Sequence, residues 1–411
     1  MTVMKELQEL ISISRYYGAN KEYVVAGGGN TSYKDSERIW VKASGHALAT
    51  ITEEGFAVLD RKKLAELSGR TYSEDPVERE RQVKNDMEVA LITGDRRPSV
   101  ETSLHDLISY RFVVHLHPDA VNGVTCGNDI EKFIEPVFGP DALYIPYTDP
   151  GYVLFKEIEA RLLEVRKTSG SDPKVIILQN HGIFVSADTT GEIKSIYEKI
   201  MGRIHEVVGT RVPSDTRGID TSVTEIVPAI RALVSSGGLK VLKVKNSALI
   251  SQFISDAENF SRIRKPFTPD IVVYCKSEYI YLDNVETPDD TIEQFRAKYN
   301  DYLADYGHQP KVVLIKGLGL VAIGDNAAQA EIITDAFESQ LGISWYSDSF
   351  GGPHFLSDES IAKIDSWEVE NYRRKVLMLE TTGRVINSTV IITGAAMGFG
   401  EGIARIMKEN G

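Results

Sequence analysis

The chain has 411 residues, 42% of them apolar and 26% charged, proportions of a globular protein with enough length for two or three domains. A formal charge of −13 without a long basic run argues against nucleic acid or an anionic membrane as partner, since both need clustered Lys and Arg. No stretch reaches the roughly 18 apolar residues of a membrane span, and the two cysteines, Cys126 and Cys275, stand too far apart in sequence for a thiolate metal motif and read as small buried residues.

The opening segment, residues 1–18, reads as an amphipathic helix with acidic residues inside it. It lacks the basic start and apolar run of a signal peptide, and with the two unpaired cysteines it predicts a cytoplasmic protein. From there to about residue 210, short apolar runs alternate with helical segments, the pattern of a compact α/β domain. The runs Tyr23–Val25, Ile39–Lys42, Phe112–Leu116, Val175–Leu178 and Ile183–Val185 predict strands. Two of their connections are only a few residues long, which favours antiparallel pairing. Between them lie three polar turns. Gly27-Gly28-Gly29-Asn30-Thr31-Ser32 follows the first run, so its backbone N–H groups can converge on an anion, with Asn30 and Thr31 adding side-chain donors, although glycine triplets also make plain turns. Ser44-Gly45 follows Lys42, and Pro98-Ser99 directly precedes Glu101. Glu101 opens a helical stretch to Ile108, where it serves either as a carboxylate at a helix start or, beside a metal, as a general acid–base. His105, one turn later, reads as a core residue or a partner behind a ligand, less readily as a ligand itself.

In Phe112-Val-Val-His-Leu-His-Pro118, a strand turns His115 and His117 to the same face, where they can share one ion. Imidazole nitrogens suit zinc, and another divalent ion fits the same donors. A third ligand has to come from elsewhere. His181, in a tight Asn-His-Gly turn directly after a strand, is the candidate.

A second α/β unit is expected over residues 221–380, after the turn-rich stretch Pro213–Gly218. Its segment Pro310–Leu320 echoes Pro173–Ile183, with Leu318 falling on His181 and Gly319 on Gly182. Such an echo fits a degenerate repeat that kept its backbone and lost its ligand, and also fits chance, since apolar strands ending in glycine are common. Over residues 385–411, an apolar strand from Val390 runs into a glycine-rich turn with Gly394, Gly398 and Gly400, then a helix.

The pieces Gly29-Asn30-Thr31, Ser44-Gly45, Pro98-Ser99-Val100-Glu101, His115-Leu-His117 and Asn180-His181-Gly182, in that order, resemble the class II aldolase/adducin family over roughly residues 5–205. The resemblance implies an α/β/α layered catalytic domain over residues 1–210 with a mostly antiparallel sheet. It gives zinc to His115, His117 and His181, acid–base catalysis to Glu101, and substrate phosphate to Gly29, Asn30, Thr31, Ser44, Gly45 and Ser99. It further implies a phosphorylated ketose as substrate, cleaved to dihydroxyacetone phosphate and an aldehyde, and a homo-oligomer, a tetramer. A sugar-phosphate 4-epimerase, a dehydratase and a non-catalytic adducin-like scaffold share the same frame. Val100 departs from the pattern, standing where sugar-phosphate aldolases often have a second serine. The ending Thr393–Gly400 resembles the first turn of short-chain dehydrogenases, so the whole is similar to bifunctional rhamnulose-phosphate aldolase/dehydrogenases. With only that first turn present, no competent NAD site is expected.

Overall fold

The computed structural model describes residues 2–94, 96–366, 385, 388 and 390–410. They fall into two compact units. The first comprises the described residues up to Val212 together with Phe267–Asp270 and those from Gly342 to 366; the second comprises Pro213–Pro266, Ile271–Leu341 and the described C-terminal residues. None of the described helices is long and apolar enough to cross a membrane.

In the first unit, seven strands form one sheet: β1 (Asn30–Lys34), β2 (Arg38–Lys42), β3 (Phe56–Asp60), β4 (Phe112–Leu116), β5 (Leu143–Ile145), β6 (Val175–Leu178) and β7 (Gly182–Ala187). Their order is β3-β2-β1-β4-β7-β6-β5. Every neighbouring pair is antiparallel except β5 and β6, and that pair is joined by the long helix Tyr152–Ser169 that a parallel crossover requires. Helices cover both faces, giving the α/β/α layering. On one face, Leu10, Ile13 and Tyr17 of the helix Thr2–Gly18 and Ile193, Tyr197 and Ile200 of Thr190–Val208 pack on Tyr33, Phe112, Val114 and Val185. On the other, Leu104, Ile158 and Leu162 pack on Val113, Ile176 and Phe184, and Leu64, Leu67, Val83 and Met87 on Ile39, Val41 and Leu59. Each of these fully buried aliphatic side chains contributes about 1.5–3 kcal/mol, so β4, with a core on both faces, is a rigid platform for the histidines at its end.

One predicted strand is absent. Tyr23–Val25 lies in turns, and the edge begins only at Asn30. The reason is local: Ala26 and Gly29 take positive φ values of 52° and 71°, which break an extended run, while Val24 anchors the loop in the core and Tyr23 packs on Tyr17 and Tyr197. The glycine triplet therefore leads into a strand instead of following one.

The second unit has four strands, β8 (Val241–Lys245), β9 (Ile280–Leu282), β10 (Val312–Ile315) and β11 (Gly319–Gly324), in the order β8-β11-β10-β9. Ile226, Ile230 and Val234 of the helix Val223–Val234 and Phe295, Tyr299 and Tyr302 of Pro288–Tyr306 cover its face through Ile280, Val313, Ile315 and Val321. Order and strand sense repeat β4-β7-β6-β5, including the single parallel pair.

The C-terminal stretch differs from its predicted form. Residues 390–392 make no strand, and Ile391 is 90% exposed. An apolar strand needs a neighbour for its N–H and C=O groups, and among the described residues none pairs with it. The turn Thr393–Ala396 and the helix Gly398–Glu409 do form, with positive φ at Gly394 and Gly398.

Candidate metal centre

His115 occupies the end of β4 on the face shared with Val113, opposite Asn30 of β1 and Phe184 of β7 in the ladder. Its ring stacks on Phe184 with centroids 4.0 Å apart. Its Nδ1 lies 3.1 Å from the carbonyl oxygen of Ile183, and because a carbonyl can only accept, Nδ1 carries the proton and Nε2 the lone pair. His117 follows two residues later with Nδ1 2.6 Å from Oδ2 of Asp270, which fixes the same tautomer. The two Nε2 atoms then face one another at 2.9 Å. Two lone pairs at that separation repel unless a cation lies between them.

His181 completes the set from the turn between β6 and β7. Asn180 takes the left-handed conformation there (φ 53°), and its amide is held by the carbonyls of Phe267 (3.0 Å) and His354 (2.8 Å), while its Oδ1 lies 3.0 Å from His354 Nδ1. Gly182 is required by packing: a Cβ there would sit 2.5 Å from Cδ2 of His117 and 2.6 Å from the carbonyl oxygen of Leu116. Burial pushes His181 down to about 3, with His117 and His115 adding to the effect, so its imidazole is neutral, as a ligand must be. One nitrogen from each of His115, His117 and His181 lies within 4.8 Å of the others. The three imidazoles, two with Nδ1 engaged and Nε2 turned to a common point, form a triad consistent with a divalent metal site.

Glu101 stands at the N-terminus of the helix Thr102–Leu107, but its side chain does not cap that helix. It turns inward instead, with Oε1 3.1 Å from Nε2 of His115 and 3.6 Å from Nε2 of His181. Its carboxylate oxygen thus adds negative charge at the point the triad's Nε2 atoms face, where a bound cation would keep it ionised. His105 lies behind the site in the core, its Nδ1 2.8 Å from Ser32 Oγ and its ring edge-on to Phe184; burial drives it down to about 3.

The polar turns divide. Asn30 is buried beside Glu101, its Nδ2 donating to Oε2 at 3.4 Å and its Oδ1 without a hydrogen-bond partner among the described residues. An antiparallel bridge between Ala43 and Pro98 joins the two serine turns, with Ser44 N donating to Arg97 O. Ser44 Oγ donates to Pro98 O at 3.4 Å, and Ser99 Oγ accepts from Glu101 N at 3.3 Å. Gly45 and Gly29 both have positive φ. Thr31 is a correction: strand alternation sends it to the opposite face, where its hydroxyl meets Ser14 Oγ at 2.7 Å in the core, so it offers an anion no side-chain donor. Lys42, at the end of β2 and unremarked from sequence, donates to Gly27 O at 3.2 Å and brings a cation to the glycine turn. Sequence reasoning also missed Asp270, since nothing in a Pro-Asp dipeptide so far along the chain announces that its carboxylate reaches His117.

Residues 8–200 match the sequence profile of the Class II Aldolase and Adducin N-terminal domain, and residues 221–373 match that of Aldolase class II, second domain. The chain belongs to the class II aldolase/adducin family and carries the family's second aldolase II domain. It is 25% identical, over 453 aligned positions, to the uncharacterized oxidoreductase YuxG of Bacillus subtilis, an alignment that takes in 99% of this chain and 63% of that protein; it thus spans less than two thirds of that relative. Over 217 aligned positions it is 25% identical to 3-oxo-tetronate 4-phosphate decarboxylase of Haemophilus influenzae, covering 47% of this chain and 86% of that one. Among solved structures, the N-terminal class II aldolase domain of a conserved protein from Thermoplasma acidophilum shares 27% identity over 47% of this chain and 90% of its own, with a TM-score of 0.41.

Proposed function

We propose that this protein is a zinc-dependent aldolase that cleaves a ketose 1-phosphate of the rhamnulose or fuculose type to dihydroxyacetone phosphate and an aldehyde. The observation that carries the reading is the placement of one carboxylate, Glu101, 3.1 Å from a histidine of the triad. Zinc held by His115, His117 and His181 would supply Lewis-acid polarisation of the ketose carbonyl. Glu101 takes the proton from the C4 hydroxyl as the C3–C4 bond breaks and returns one to C3, so the proton balance closes on a single carboxylate. Asn30 Oδ1, buried and without a hydrogen-bond partner among the described residues, accepts from a substrate hydroxyl. Lys42, the glycine turn with Gly29, and the paired Ser44-Gly45 and Ser99 turns hold the phosphate. The working assembly on this reading is a homo-tetramer, which light scattering of the purified protein checks.

The similarity to 3-oxo-tetronate 4-phosphate decarboxylase favours a second reading, decarboxylation of a phosphorylated oxo-acid, in which Glu101 relays a proton from water to the carbanion left by loss of CO2. Product analysis separates the two. Zinc-loaded protein is incubated with rhamnulose 1-phosphate, fuculose 1-phosphate and 3-oxo-tetronate 4-phosphate, and dihydroxyacetone phosphate and CO2 are measured. Release of dihydroxyacetone phosphate from a ketose phosphate is expected; CO2 from the oxo-acid with no ketose cleavage would replace the first reading with the second. In Glu101→Gln the metal is retained and turnover falls by about 10²–10⁴-fold. Undiminished turnover there removes Glu101 from the chemistry.

A further inference from the structure

The four residues Phe267–Asp270 belong to the first unit although more than fifty residues of the second precede them in the chain. Both ends of this segment touch the triad's supports. Oδ2 of Asp270 lies 2.6 Å from Nδ1 of His117, and the pair is largely sheltered, with side-chain exposures of 17% and 14%. The carbonyl oxygen of Phe267 accepts from Asn180 Nδ2 at 3.0 Å, next to His181, and Phe267 itself is fully buried with Cys126, Ile343 and Phe355. The glycine triplet takes part as well. A Cβ at Gly28 would stand 3.2 Å from Oδ2 of Asp270 and 3.8 Å from Nδ1 of His117, so glycine at this position leaves room for the carboxylate.

We propose that Phe267–Asp270 is the outer support of the metal centre, with Asp270 as the positioning residue that fixes the ring and tautomer of His117 and Phe267 as the brace of the His181 turn. The assignment rests on the reading of the triad as a metal site. A ligand histidine free to exchange tautomers offers a lone pair from Nε2 only part of the time, and one free to rotate loses entropy on binding. A carboxylate on Nδ1 removes both costs and makes Nε2 more basic; loss of such a partner typically weakens metal affinity 10–100-fold. The family's second domain thereby lends the first a residue that the isolated N-terminal segment does not contain.

The test uses the full chain, stripped of metal, in wild-type, Asp270→Asn and Asp270→Ala forms. Zinc affinity is measured by competition with a chromophoric chelator, and cobalt is added separately for its visible absorption. Asp270→Ala should bind zinc 10–100-fold more weakly with an altered cobalt spectrum, and Asp270→Asn, which keeps the shape without the charge, should fall between it and wild type. Wild-type zinc affinity and cobalt spectrum in both variants would overturn the proposal. Should the variants not fold, the wild-type protein still decides: long-range proton–nitrogen spectra of the metal-free chain should show His117 protonated at Nδ1, and a proton on Nε2 alone refutes the assignment. If wild type itself binds neither zinc nor cobalt, the metal reading fails, an outcome distinct from equal binding by all three proteins.

Discussion

The half-sheet β4-β7-β6-β5 and the four-stranded sheet β8-β11-β10-β9 are built alike to the level of single hydrogen bonds, yet among the described residues the histidine triad stands only on the first. At one constant offset in numbering, the parallel pair ends on Ile145 with Leu178 in the first and on Leu282 with Ile315 in the second. The following helix stops on a left-handed glycine, Gly170 or Gly307. The turn between the hairpin strands is closed by Gln179 N to Ile145 O and His181 N to Leu178 O in one, and by Lys316 N to Leu282 O and Leu318 N to Ile315 O in the other. Asn180 and Gly317 both hold a positive φ, 53° and 77°. What differs is the ligand set: from the pairing of β4 with β7 and of β8 with β11, Val244 and Asn246 stand where His115 and His117 do, and Leu318 stands for His181. Leu318 is buried in the core of its unit, and Asn246 is tied to Ser251 and Gly218. A scaffold of this kind aims side chains from a turn and a strand end; whether it makes a metal site or a core depends on three residues.

The sharpest way to break the comparison is to make the first turn resemble the second. His181→Leu, the residue found at position 318, and His115→Ala each remove one of three donors, and zinc affinity should fall by more than the 10–100-fold expected for an outer partner. Metal analysis after dialysis against a weak chelator checks this. Stoichiometric zinc retained by both variants would mean that the triad does not hold the metal.

Much of this was legible in the sequence because period-2 patterning and turn residues act locally. The His-x-His pair, the Asn-His-Gly turn and the apolar runs of β2, β4, β6 and β7 all follow from what alternation and glycine allow within a few residues. The echo of residues 173–183 in 310–320 marks the segments that share the turn. Legibility failed where long-range contact decides. Tyr23–Val25 has strand-like residues but is recruited by the aromatic cluster with Tyr17 and Tyr197. Thr31 looked like a donor to an anion, but its face was set by the register of β1 against β4. Asp270 reaches His117 through a fold no local pattern encodes, and the apolar run from Val390 finds no strand partner among the described residues.

The close approach behind each turn gives a second test, of smaller effect. A Cβ at Gly319 would meet Lys245 O at 2.4 Å, as one at Gly182 would meet Leu116 O at 2.6 Å, and Gly319 has φ 134° as well. Gly319→Ala and Gly182→Ala should therefore each destabilise the protein by about 2–4 kcal/mol. Only Gly182→Ala also pushes on His117, so only it should weaken zinc binding. Equal loss of zinc affinity in the two variants would show that the second sheet's turn matters to the site in a way its residues do not explain.

The smallest expected difference lies one residue before the proline that opens each echo, at Asp172 and Gln309. Asp172 is buried and accepts from Nε and Nη2 of Arg166, at 2.6 and 2.8 Å, and from Ser109 N at 2.8 Å. Burial raises its carboxyl, but these donors outweigh it and leave the folded-state value below the ordinary 3.8. Gln309 makes the corresponding ties with a neutral amide, donating to Val234 O and Tyr299 Oη. A carboxyl whose pKa is depressed by folding contributes stability above its unfolded value, and that contribution is lost as pH falls through the folded one. Asp172→Asn should thus cost about 1–3 kcal/mol near neutral pH, with the deficit shrinking as the pH drops below about 3.8, whereas the cost of Gln309→Ala should not change with pH because the amide does not titrate. Amide hydrogen exchange within β6 and within β10 reads each unit separately. A deficit at β6 that stays constant down to pH 3 would mean that Asp172 acts through shape alone, and that the two positions differ less than their charges imply.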